Sequence, residues 1–376
     1  MSKKIKVCHF SSVHNLSDTR VFYRECTWLA QDFDVTLIAI GNKTETINNV
    51  KLIGVEKPVS RLKRILHTTR QVYKLAKQQN ADIYHFHDPE LIPFGWLLKT
   101  QGKKVIYDIH ENVTESLKAK NWLPLKGLFI KIYLWFDALA ARNFKLILAE
   151  KSYVKVYRFR YPKKQFALIR NYASNSQLKP FINTNREAKN NIINLFYMGS
   201  IDEQYCCKQM LEALAILNNQ GINAHLKMIG WIDPKIKQEM QTWPFMEAIK
   251  NKVLFTGFLD MQAGYKLSQD CHLGLSFVSD NLNVSQSIPR KMYEYMHIGL
   301  PVVSSSHLLY KNMVETHALG LCVNNNSAIE IANTIIAMAK SGNYLNTLAQ
   351  NNLKAAQQHF NWETEYQTLK NLYLEG

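Results

Sequence analysis

Residues Ser287 to Val303 read SIPRKMYEYMHIGLPVV, and the rest of the chain is organised around them. Pro289 suits the first turn of a helix, where its missing N–H costs nothing. Met292, Tyr295 and Met296 recur at helical spacing and are expected to face a core. Lys291 and Glu294 lie three apart and so share another face. Gly299 stops the helix, and Pro301-Val302-Val303 begins a buried strand. A helix N-terminus favours an anion, phosphate above all. Lys291 can meet that anion, and Glu294 one turn deeper can accept hydrogen bonds from adjacent sugar hydroxyls. The plainer alternative is a surface helix carrying an Arg290–Glu294 ion pair, worth about 0.3–0.5 kcal/mol.

The chain has 376 residues, which suits two domains better than one core. Hydrophobic residues make up 47% and charged residues 20%, the balance of a soluble globular protein. Cys8, Cys26, Cys206, Cys207, Cys271 and Cys322 show no C-x-x-C spacing and read as buried or free thiols. No signal peptide and no apolar run of membrane-spanning length are evident, so a cytoplasmic location is expected. The formal net charge of +16 is unevenly placed. Residues 1–175 hold 30 Lys and Arg against 14 Asp and Glu, whereas residues 176–376 hold 16 of each. That asymmetry points to an anionic partner for the first half, a phosphorylated acceptor or a membrane surface, or else to a solvated basic face. A nucleic-acid partner is disfavoured because no reading motif accompanies the charge.

Along the chain, Ile5–Phe10 reads as a strand, Ser11–Thr19 as a polar loop, Arg20–Gln31 as a helix and Asp34–Ile40 as a second strand. This is the opening of a parallel α/β sheet. The loop has no G-x-G-x-x-G, so a dinucleotide fingerprint is absent. Asp18 is either the helix N-cap or, with His14 and Arg20, part of a site. Arg61–Gln79 is a basic helix. The strands at Ile83–His87 and Lys104–His110 each deliver a histidine, His87 and His110, to their carboxyl ends, where open α/β sheets bind ligands. Each is followed by a carboxylate, in His-Asp-Pro-Glu and His-Glu. Leu117–Phe144 mixes Trp122, Leu128, Phe129, Ile132 and Trp135 with Lys118, Lys120, Lys126 and Lys131. It reads either as a membrane-interface helix or as a helix packed on its own sheet with a lysine-rich outer face. Asn171–Asn191 is polar and reads as a linker. A second α/β series follows, with strands near residues 193–198, 225–229, 252–255, 273–277 and 302–304. Asp32-Phe33-Asp34 enters a strand at the end away from ligands and reads as a turn. No His, Cys or carboxylate cluster has metal-ligand spacing.

Ser287–Val303 resembles the P-x-K-x-x-E-Y-M-x-x-G-x-P-V-V segment of retaining family-4 glycosyltransferases of the GT-B fold. Asp18–Glu25, His85–Gly95, Val105–Glu111 and the F-x-W at Phe360–Trp362 are similar to further segments of that family. The resemblance implies two Rossmann-like domains facing each other across a cleft. They are a first, acceptor-side domain over residues 1–172 and a second, donor-binding domain over 192–356. The last helix, 357–376, would pack back on the first. It implies transfer of a sugar from a nucleotide-diphospho-sugar to a surface-polysaccharide or lipid-linked acceptor, with retention and no bound metal or other cofactor. In that reading Glu294 binds the ribose and Lys291 the diphosphate, while Gln286 and His110 meet the transferred sugar. Gly199, Ser200, Lys208 and Ser287 belong to the donor side; His14, Asp18, Arg20 and His87 belong to the acceptor side.

The chain departs from the family where the donor diphosphate is usually held. Ser200 stands where Arg is common, and Tyr205-Cys206 stands near the expected basic-Gly pair. Lys208 and Lys291 remain as substitutes, without the bidentate geometry of Arg. Gln286 replaces a frequent Glu. These departures support an alternative, a transferase-like binding or partner subunit with weakened catalysis.

Overall fold

The computed structural model describes residues 4–119, 124–280, 287–341 and 343–375. The chain divides into two compact units, Met1–Asn171 with Trp362–Gly376, and Tyr172–Asn361.

The first unit is built on eight strands: β1 Lys6–Asn15, β2 Asp34–Ile40, β3 Thr44–Ile47, β4 Val50–Val55, β5 Ile83–Phe86, β6 Lys104–Ile109, β7 Lys145–Leu148 and β8 Phe166–Leu168. Their order is β3-β4-β2-β1-β5-β6-β7-β8. Every pairing is parallel except β3 with β4. The central strands are near-continuous apolar runs because helices cover both faces. β3 and β4 were not anticipated: Thr44–Ile47 is wholly exposed and carries no buried face to reveal it. The register sets His9 of β1 opposite His85 of β5. Adjacent partners on parallel strands point the same way, and His87 follows His85 by one strand period. Three histidines therefore converge on one face.

After β1 the chain turns through a wide π-type turn, Val21–Cys26, and a short helix, Thr27–Leu29, in place of the regular helix expected over 20–31. The last helix, Trp362–Leu374, buries Trp362, Tyr366, Leu369 and Tyr373 in the same core as Val7, Phe22 and Leu29. Glu365 clamps Arg170 through a carboxylate–guanidinium pair at 2.6 Å.

The second unit carries β9 Ile192–Met198, β10 Asn223–Ile229, β11 Val253–Phe255, β12 Leu273–Ser276, β13 Val302–Ser305 and β14 Gly320–Val323, all parallel, in the order β11-β10-β9-β12-β13-β14. The polar stretch 171–191 packs into this unit. Ala173, Leu178 and Phe181 are buried, and the Arg186 guanidinium donates to the carbonyls of Ser268, Cys271 and Ile298 at 2.6–2.9 Å. A polar composition here marks a segment that satisfies carbonyl ends of the fold.

The described cysteines are all free. Among the described residues no helix is long and apolar enough to cross a membrane.

Candidate functional site

Helix Arg290–His297 sits between β12 and β13, with Pro289 at its N-cap in extended conformation. Met292, Tyr295 and Met296 are buried as the spacing required. Gly299 ends the helix at φ +63°, and a Cβ there would lie 2.9 Å from the Asn183 carbonyl oxygen. The opposite face is also enclosed: Lys291 is 7% exposed and Glu294 3%. Both open onto a cleft of about 370 Å³, lined also by Gly199, Ser200, Tyr205, Trp231, Phe258 and Arg290.

Lys291 Nζ has no hydrogen-bond partner among the described residues. It lies 3.8 Å from the centre of the Tyr197 ring and 4.6 Å from that of Tyr205. These π faces favour the charged ammonium. Burial outweighs them and lowers its pKa to about 7, with Asp202 and Glu294 pulling the other way. Gly199 makes room for it. That residue adopts φ +150°, and a Cβ there would stand 2.8 Å from Nζ. Tyr197 Oη donates to the Ser200 carbonyl at 2.5 Å and fixes the loop after β9. A buried cation with no hydrogen-bond acceptor among the described residues, at a helix N-terminus, is an anion receptor.

Glu294 accepts a hydrogen bond from Tyr265 Oη at 2.6 Å and pairs with Arg290 Nε at 2.9 Å. The Arg290–Glu294 pair of the plainer reading therefore exists, but on a carboxylate enclosed in a cleft. Tyr205 stands at the cleft where the sequence put it, near the place of the usual basic-Gly pair, whereas Tyr197 and Tyr265 were not anticipated, because they come from β9 and a short helix distant in sequence. Trp231 and Phe258 expose 56% and 83% of their surface at this cleft. Their position just after β10 and β11, at the sheet's carboxyl edge, was the available signal. Lys208, expected on the donor side, is exposed and not part of the cleft lining. Its ammonium sits 5.7 Å from the Trp243 ring centre. Ser287 accepts from Tyr310 Oη through its carbonyl, and Gln286 lies outside the described residues.

In the first unit His87 and His110 do meet, with Nδ1 of one 3.2 Å from Nε2 of the other. His110 is the more open, at 18% side-chain exposure, and its Nε2 lies 2.8 Å from Asp108. The His14 ring centre is 4.9 Å from that of His110, and His14 Nδ1 lies 3.0 Å from Asp18. Burial works against the imidazolium of His14, but Asp18 holds its pKa above the ordinary value. Asp18 also accepts from the backbone of Arg20 and Val21, as expected of a residue that caps this turn. Arg20 was expected at an open edge; it is buried, paired to Asp108 at 2.9 Å and donating to the Ile169 carbonyl. Burial alone would raise the Asp108 carboxyl, but Arg20 and then His110 hold it well below the usual range. The carboxylates after the two histidines diverge. Asp88 accepts from Ser11 Oγ and the Ser12 amide, whereas Glu111 is exposed.

The expectation of no metal site rests on local spacing in the sequence alone. Two groups among the described residues have ligand atoms within 4.8 Å of one another: His9, Glu25, His85 and His87, and His87, Asp108 and His110. No local spacing marks them because strand pairing assembles them. Burial pushes His9 and His85 well below the ordinary imidazole pKa and His87 down to about 4.

Two family models match in succession: Glycosyltransferase Family 4 over residues 19–171 and Glycosyl transferases group 1 over residues 179–359. No curated protein matches the chain in sequence. Solved structures match the fold. Sucrose-phosphate synthase of Thermosynechococcus elongatus has a TM-score of 0.71 at 14% identity over 98% of each chain. HepE of Anabaena, in complex with UDP and glucose, has a TM-score of 0.69 at 14% identity over 98% of this chain and 99% of its own. WaaG, a glycosyltransferase involved in lipopolysaccharide biosynthesis, has a TM-score of 0.66 at 15% identity over 96% of this chain and 98% of its own. With two parallel α/β units and both family models in register with them, the chain belongs to family 4 of the GT-B glycosyltransferases.

Proposed function

We propose that this glycosyltransferase takes its sugar from a nucleoside-diphospho-sugar and passes it, with retention, to a surface-glycan or lipid-linked acceptor. The observation that carries the reading is the enclosed, unpartnered ammonium of Lys291 at a helix N-terminus. In this reading Lys291 and the helix amides neutralise the leaving diphosphate, so the positive charge at the phosphates comes without a metal ion. Glu294, oriented by Tyr265 and Arg290, takes the ribose hydroxyls. Trp231 and Phe258 offer aromatic faces to the base. Gly199, Ser200 and Ser287 shape the donor side. No protein nucleophile is assigned; the leaving phosphate takes the acceptor proton, and catalysis is positioning and electrostatics. His110 is assigned to the transferred sugar, with His14 and Asp18 on the acceptor side; the His87 side chain is enclosed and braces His110 from behind.

HepE, described with UDP and glucose, supports testing uridine donors first, and WaaG supports a surface-glycan acceptor. Helix Lys126–Asn143 supports an acceptor held at a membrane. Leu128, Phe129, Ile132 and Trp135 face outward at 44–64% exposure, while Tyr133, Asp137, Ala140 and Ala141 face the core. Its outer face is thus apolar and aromatic rather than lysine-rich, which favours the membrane-interface reading. Thermal shift against UDP-, GDP- and other nucleotide sugars, followed by donor hydrolysis, tests the function. No shift with any nucleotide overturns it. Binding without hydrolysis or transfer favours the partner-subunit reading, for which Ser200 and Tyr205 in place of basic residues are the support.

A further inference from the structure

We propose that His9, Glu25, His85 and His87 form a closed structural site for a divalent transition-metal ion of the zinc type, beneath the carboxyl edge of the first sheet. All four side chains are buried, and one ligand atom from each falls within 4.8 Å of the others. His9 Nδ1 lies 3.1 Å from His87 Nε2 and 3.9 Å from Glu25 Oε2. Four ligands at metal distances of about 2.0–2.1 Å stand about 3.3 Å apart in a tetrahedron, so the atoms close in on the ion from separations of at most 4.8 Å.

The outer nitrogens are already held. His85 Nδ1 lies 2.5 Å and His9 Nε2 2.9 Å from the Tyr373 hydroxyl, whose oxygen can accept from both. His87 Nδ1 faces His110 Nε2 at 3.2 Å and Asp108 Oδ2 at 3.6 Å. Each imidazole thus turns its other nitrogen inward, the arrangement that orients histidine ligands. The inner atoms are the ones left over. His85 Nε2 and both Glu25 carboxylate oxygens make no hydrogen bond. Glu25 Oε1 lies 3.0 Å from Arg20 Nε, but that N–H is directed to Asp108, as is Nη2. One guanidinium therefore lies beside two buried carboxyl groups, and the Glu25 oxygens remain available to an ion.

The second group, His87, Asp108 and His110, is satisfied by its own hydrogen bonds and by Arg20, so the ion belongs to the first. No ligand position is open to solvent, which marks the site as structural. It ties β1, the turn Val21–Cys26 and β5 together, with Tyr373 of the last helix as the outer brace.

The untagged protein, reconstituted with Zn²⁺ or Co²⁺ and dialysed, is analysed for metal content, and its zinc and cobalt forms by X-ray absorption. At least half an equivalent of retained ion is expected, coordinated by three imidazoles, with four-coordinate visible bands for Co²⁺. Removal by a chelator should lower the Tm by about 5 °C or more. His85→Ala and Glu25→Gln should lose the ion, and His359→Ala, at an unrelated site, should keep it. Less than half an equivalent in the wild type, fewer than two imidazoles, or full retention by a folded His85→Ala overturns the proposal. If the variants fail to fold, the wild-type coordination decides.

Discussion

Lys291 and Glu294 of the second unit come from one turn of one helix, whereas His9, Glu25 and His85 of the first come from β1, the following turn and β5. In the second unit a buried lysine opens onto a cleft with no hydrogen-bond acceptor of its own among the described residues. In the first, buried carboxylates and imidazoles are locked into one network around Arg20 and Tyr373. The difference separates two uses of burial. A group left unsatisfied at a cleft waits for a ligand from outside, and its removal should stabilise the fold. A network whose members face one another inside the core supports the fold, and its removal should weaken it.

Lys291→Met is the strongest way to break this contrast. Nucleotide affinity should fall by about 2–5 kcal/mol, as for truncating one partner of a buried charge pair. The unliganded fold should become more stable. The sign follows from the lowered pKa of about 7. Below pH 7 the folded state carries a buried charge, and the full penalty is present. As pH rises towards the unfolded-state value of about 10.4 the penalty fades. The Tm gain of the variant should therefore be larger at pH 6 than at pH 9, by about 2–3 kcal/mol in stability. Wild-type nucleotide affinity should also weaken from pH 6 to pH 8.5, since binding must restore the proton. A variant that loses stability equally at both pH values makes Lys291 a packing residue.

Glu294→Ala should cost about 1.5–3 kcal/mol of nucleotide binding, the worth of a hydrogen bond to a charged group. Isothermal titration of a folded variant checks it; unchanged affinity removes the ribose assignment.

How much of this was legible followed the range of the interactions. The helix 290–297, its Gly299 stop and the inward face of Lys291 and Glu294 rest on spacings within one segment, and periodicity exposes those. The alternating His85 and His87 were visible too, but their partner His9 is fixed only by strand register. Tyr265 and Glu25 carry no local signal, since each is chosen by what lies across the fold. Lys208 misled because a helix start fixes a side chain's neighbourhood and not its direction. The stretch 171–191 misled because polar residues that cap buried carbonyls have the composition of a linker.

His110→Ala sharpens the comparison inside the first unit. It is the most open member of the network, so turnover should drop about tenfold, or ~1.4 kcal/mol, with nucleotide affinity unchanged. His87→Ala, at a fully enclosed ring, should instead lower the Tm. Steady-state kinetics with thermal melts separate the two. A His110 variant at full rate that melts early assigns that ring to the fold as well.

The smallest effect distinguishes the units by their surfaces. The first carries the basic excess and the outward row Leu128, Phe129, Ile132 and Trp135; the second is electrically balanced. Anionic vesicles should therefore capture the protein at low salt and release part of it at high salt, because the Debye length is about 8 Å at physiological strength. Lysines near such a surface gain about 1 kcal/mol each. Lys118 should contribute less than Lys131, since Glu115 already holds it at 2.8 Å. Replacing Lys126 and Lys131 by Gln should remove the salt-sensitive part of flotation. Replacing Phe129 and Trp135 by Ser should remove the part that survives salt, because apolar burial is not screened. If wild type ignores anionic vesicles at low salt, the basic unit meets a soluble acceptor and its apolar helix face has another partner. If it floats equally with neutral vesicles at every salt, the aromatic row acts alone and the charge asymmetry serves no membrane.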